Sequence, residues 1–155
     1  MTKILCPTRG GAPSSPNQER AIALAKEREV EVIFLYVSNA RFLNRFSSPV
    51  LVDIETELDE LGNFMLAMAC EKADKAGVPA RSIVRRGDFH QALRDVIAEE
   101  QVEVVTLGMP SQGTGITTLE YLKELAERLL AETAVSEILV SHEGEILEHF
   151  WRKTT

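Results

Sequence analysis

Chemistry-bearing side chains are scarce in this sequence: two cysteines, three histidines and one tryptophan among 155 residues. Cys6 and Cys70 stand too far apart to match a metal or redox spacing. With no export signal beside them, both read as buried thiols in a reducing compartment. No apolar run approaches the roughly 18 residues that a membrane-crossing helix needs. The opening Met1–Pro7 is too short, and too soon broken by proline, for a signal peptide. The expectation is a cytoplasmic protein. An excess of basic residues is lacking too, since 17 Lys and Arg against 24 Asp and Glu leave a net charge of −7, although a local basic cluster stays open. That balance argues against nucleic acid or an anionic membrane as partner. Walker loop, nucleophile elbow and paired carboxylates are all absent, so nothing nominates a general base and no enzyme is expected. His90 falls near a helix start, where it packs or faces water. His142 and His149 flank Glu143, Glu145 and Glu148 in what reads as a solvated acidic tail rather than a metal site.

What is present is a regular alternation of patterns. The composition, 45% hydrophobic and 26% charged, is that of one ordinary globular domain. Lys3–Pro7 reads as a strand running into turn residues. Asn17–Arg28 has helical spacing, with Asn17 as its cap. Glu31–Val37 is an almost continuous apolar strand, as in a sheet covered on both faces. After an unassigned connection, Ser38–Pro49, a long helical pattern covers Val52–Ala76, with Phe64, Met65 and Met68 on its expected core face. Gly77 ends that helix and Pro79 prevents its continuation. Ala80–Arg86 is a strand. Asp88 with Gln91 then forms a capping box for the next helix. Val102–Leu107 is the fourth strand, Thr118–Glu132 the last helix and Glu137–Ser141 the fifth strand. Strand and helix alternating in this way predict an α/β fold: a single doubly wound domain with a five-stranded parallel sheet and helices on both faces.

Certain residues carry more specific information. Ile4-Leu5-Cys6-Pro7-Thr8-Arg9-Gly10-Gly11 resembles the opening of universal stress proteins. Arg86-Gly87-Asp88, Val104-Val105-Thr106-Leu107-Gly108 and the closing strand Glu137–Ser141 follow in that family's order. The resemblance covers residues 2–142 and leaves 143–155 as a C-terminal tail, a packing or dimer arm. It implies a Rossmann-like fold of the adenine nucleotide alpha hydrolase type, frequently homodimeric. It also implies one of two subclasses, the first binding ATP or a related adenine nucleotide and the second binding none. The binding subclass carries an aspartate just after the first-strand proline and a glycine-rich loop after strand four. Here Arg9 takes the aspartate position, Ser111 that of the loop's second glycine, and Tyr121-Leu122 that of its final Gly-Ser/Thr pair. The standard ATP loop is degenerate, which favours a regulatory or binding module in stress response. The alternative is an adenine-nucleotide binder, for ATP or AMP, using a rebuilt loop, with weak nucleotide hydrolysis left open. Its site would comprise Pro7, Thr8, Arg9, Val37, Gly108, Met109, Gly113, Thr114, Gly115 and Ile116. Thr8-Arg9-Gly10-Gly11 also resembles modules associated with membrane transporters, which makes a regulatory partner of a transporter a third reading.

The loop after the fourth strand admits two readings on its own chemistry. Gly113 and Gly115 permit unusual backbone geometry, and its hydroxyls lie before a helix N-terminus where an anion is favoured. Thr117 with Glu120, however, makes a capping box whose carboxylate would compete for that position. Finally, the fifth strand is expected at a sheet edge, which predicts a homodimer through residues 137–141. The tail, with its aromatic Phe150 and Trp151, would pack over the partner or over its own domain.

Overall fold

The computed structural model describes residues 2–8, 15–38, 48–109 and 119–152, with side chains described throughout these except at 48–58. The elements are β1 (Lys3–Pro7), α1 (Ser15–Arg28), β2 (Glu31–Ser38), α2 (Ser48–Lys75), β3 (Ala80–Arg86), α3 (Phe89–Glu100), β4 (Val104–Met109), α4 (Leu119–Glu132), β5 (Glu137–His142) and β6 (Glu145–Trp151). They form one sheet in the order β3-β2-β1-β4-β5-β6. The first five strands are parallel; β6 returns antiparallel on β5. The doubly wound expectation holds, with two corrections. The sheet has six strands rather than five, and Glu137–Ser141 is not an edge, because β6 pairs along it.

Alternation along each strand divides the core in two. Leu5, Ile33, Leu35, Val105, Leu107, Ile138 and Val140 face α3 and α4, where they meet Leu93, Val96, Ile97, Leu122, Leu125 and Leu129. Their neighbours Ile4, Cys6, Val32, Phe34, Val104 and Leu139 face α1 and α2. A residue step of two per face explains how nearly continuous apolar strands bury both sides at once. Helix α3 starts as the sequence indicated: the Asp88 carboxylate accepts from the Gln91 N–H at 2.9 Å. The reciprocal half of the box is absent, for the Gln91 amide turns forward to Asp95. Gly77, at φ +78°, ends α2 as expected.

Helix α2 departs from its reading. Its core face is Leu66, Ala69 and Ala73, all fully buried, whereas Phe64 and Met68 are half-exposed or more, and Met65 is partly exposed. Small residues explain the rotation, since they let the helix sit close to the sheet. A Cβ on Gly62 would come within 2.5 Å of the Tyr36 ring. Cys70 is likewise only half-buried, while Cys6 is fully buried.

The tail packs over its own domain. Glu143 and Gly144 turn the chain with φ of +51° and +87°, a tight hairpin of the type that needs positive φ at both central residues. Phe150 packs against the α3/α4 core. Beyond β6, the Arg152 guanidinium donates to the carbonyls of Leu130 (2.7 Å), Thr133 and Val135, covering the C-terminal end of α4.

Candidate functional site at the strand switch

In an open α/β sheet, ligands collect beyond the carboxyl ends of the strands, where neighbouring connections leave to opposite faces. Here that point lies between β1 and β4. Strand β1 stops short: Pro7 pairs with Leu35, whereas β2 runs on through Val37 to Ser38. On the other side Leu5 pairs with Val105, and β4 continues to Met109. The centre of the sheet therefore ends in a notch two to three residues deep, roughly 7–10 Å at strand rise. Val37 and Met109 flank it, both partly buried and both continuing the α3/α4 face. Thr8 closes its floor, held by its N–H donating to Leu35 O at 2.8 Å.

Five of the ten residues singled out from the sequence, Pro7, Thr8, Val37, Gly108 and Met109, are thereby brought to one place. Arg9, Gly113, Thr114, Gly115 and Ile116 lie outside the described residues. Gly108 has a packing reason to be glycine. An added Cβ there would lie 2.8 Å from Asn17 Cβ, so the residue lets α1 approach the end of β4.

Beneath the notch is a polar layer that sequence reasoning missed. Asn17, read as a helix cap, is instead a buried residue of α1. Its amide donates to Thr106 O at 3.3 Å and accepts from the Ser141 hydroxyl at 3.1 Å. One turn-start residue thus ties α1 to β4 and β5. Its neighbour Gln18, also buried, donates to Thr8 Oγ1 at 2.6 Å and accepts from the Lys72 ammonium at 3.3 Å. Lys72 donates as well to Ser15 Oγ at 2.7 Å. The sequence signal was present only as adjacent amides at a helix start, a pattern that ordinary capping accounts for.

Cys6 lies in the same layer. Complete burial pushes its thiol up to about 12, and the Thr106 hydroxyl offsets only part of this. It is a packed thiol and not a nucleophile. His90 sits elsewhere, its Nε2 3.0 Å from Glu132 between α3 and α4. His149 pairs with Glu137 rather than with His142. Among the described residues no three His, Cys, Asp or Glu side chains cluster as a metal site would require, and no helix is long and apolar enough to cross a membrane.

Comparisons with known proteins agree with this architecture. The universal stress protein family model matches residues 1–141. A universal stress protein from Burkholderia pseudomallei superposes with a TM-score of 0.68 at 18% identity, covering 90% of this chain and 95% of that one. A universal stress protein in complex with cAMP gives 0.60 at 16% identity, over 92% and 97%. One from Archaeoglobus fulgidus in complex with dAMP gives 0.56 at 11% identity, over 90% and 97%. Among curated proteins no sequence matches. The match over nearly the whole strand-and-helix alternation, together with the notch at its switch point, makes this chain a member of the universal stress protein family.

Proposed function

We propose that the chain is a non-catalytic regulatory module that binds an adenine nucleotide, of the ATP or AMP type, in the notch between β2 and β4. The observation that carries this reading is the recessed end of β1 with Val37 and Met109 on either side. Two partly buried apolar side chains separated by one short strand suit a flat heteroaromatic base. Such pockets are mostly apolar, with a few placed polar groups. Thr8 supplies one such group, and the Gln18 amide fixes its hydroxyl oxygen as an acceptor. The cyclic and deoxy adenosine monophosphates held by the two relatives support the same ligand class. No described side chain in the notch is a base or nucleophile, which is why the reading stops at binding.

The test is mass spectrometry of small molecules released on denaturing the purified protein, followed by calorimetric titration with ATP, ADP and AMP. The expected result is micromolar binding of at least one of them, weakened at least about tenfold by Met109→Glu, which places a charge beside the base. No binding at millimolar nucleotide sinks the reading. The chain would then be a module that acts through a protein partner, a membrane transporter being the one the sequence indicated.

A further inference from the structure

Helix α2 carries two apolar stripes, and the domain uses one of them. Gly62, Leu66, Ala69 and Ala73 are buried on the side that meets the sheet. Leu61 (47% exposed), Phe64 (64%) and Met68 (50%) lie outside that contact, with Met65 partly exposed beside them. A single exposed leucine is ordinary. Four apolar residues at i, i+3, i+4 and i+7 are neighbours on the helix surface and form a continuous strip.

The strip belongs to a longer pattern. Leu51, Ile54, Leu58, Leu61, Met65 and Met68 follow one another at alternating steps of three and four within the one helix Ser48–Lys75. That is the heptad spacing of a coiled-coil seam. A helix that only had to cover a sheet would need a single apolar stripe, and the sheet-facing residues 62, 66, 69 and 73 are not members of this one.

Charge indicates the occupant. Asp53, Glu55, Glu57, Asp59 and Glu60 crowd the first half of α2, which has no basic residue before Lys72. Lys72 is engaged with Ser15 and Gln18, but Lys75 is well exposed, 3.3 Å from Glu71 of its own helix. A second α2 laid parallel would set acid on acid. Laid antiparallel about a twofold axis, each helix brings its Lys75 end to the acidic half of the other, twice over. With the axis passing between Leu61 and Met65, Leu61 of each copy faces Met65 of its mate, and Phe64 closes the seam beside them.

We propose that α2 docks a second copy of this chain through this seam, antiparallel, as a two-helix coiled coil. The contact is separate from residues 137–141, and it stands whether or not a nucleotide binds.

Disulfide trapping and light scattering on the full chain decide it. In a Cys70→Ser background the one native thiol is the buried Cys6. Leu61→Cys and Met65→Cys chains, mixed and mildly oxidised, should form the mixed disulfide in excess of either self-disulfide, because only facing positions come within bonding reach. An excess of self-disulfides means a parallel pair and overturns the proposal. At matched concentration the wild type should weigh twice as much as Phe64→Lys or Met68→Lys, whatever other contacts the chain makes. Both side chains are already exposed, so circular dichroism should not change. Equal masses overturn the proposal and leave the strip to a helix of another protein.

Discussion

At the scale of single residues, the positions that matter most are those where two elements are forced close. Gly108 is one. The Cβ of Gly108→Ala would sit 2.8 Å from buried Asn17, and neither neighbour has room to give without disturbing the hydrogen bonds to Thr106 and Ser141. The variant should lose about 1–3 kcal/mol of stability, read as a lower urea midpoint at unchanged slope. Glu137 is another. Two hydrogen bonds from Arg28, at 2.6 and 2.9 Å, hold its carboxyl below the usual 4.5, with His149 adding to the effect and burial opposing it. A carboxyl whose value is lower in the folded chain contributes stability above its unfolded value, and that contribution fades as pH falls through the folded value. Glu137→Gln should therefore cost about 1–2 kcal/mol at pH 7, with the half-exposed arginine limiting the loss. The gap between variant and wild type should close progressively below the ordinary carboxylate range, which denaturation at pH 7 and pH 3 would show. A gap that stays constant across that range would rule out the ionic origin.

Elements were legible in the sequence to the extent that their pattern was one of period and punctuation. Strand β3 and the Asp88 cap stand where the residues put them, because alternation and a carboxylate before a helix are local signals. The face of α2 was not legible. Apolar residues surround much of that helix, and weighting by size favours Phe64 and Met68. The sheet instead selects Ala69, Ala73 and Gly62, which permit close approach. Strand β6 was missed for a related reason: Glu143-Gly144 reads as a helix breaker in an acidic tail, yet it is also a two-residue hairpin turn. Glu143 adopts φ +51° there, a conformation that asparagine tolerates better than glutamate. Glu143→Asn should raise stability by about 0.5–1 kcal/mol in thermal or urea unfolding. A loss would mean that the hairpin turn is not a two-residue turn of this kind.

For the whole molecule, fold class followed from the order of patterns, while the candidate site emerged only from register. That Pro7 ends opposite Leu35 while its neighbour strand runs on is a relation between distant segments, and no local spacing encodes it. The same holds for the layer of Asn17, Gln18, Lys72 and Ser141, whose members join across up to 124 positions of sequence. The position of β6 has a further consequence during folding. Strand β5 is almost wholly buried in the finished molecule, yet its outer side is closed only by residues up to Trp151. Any intermediate in which the hairpin has not yet closed leaves β5 as an open apolar strand, so the last strand to be made is the one that seals the sheet against aggregation.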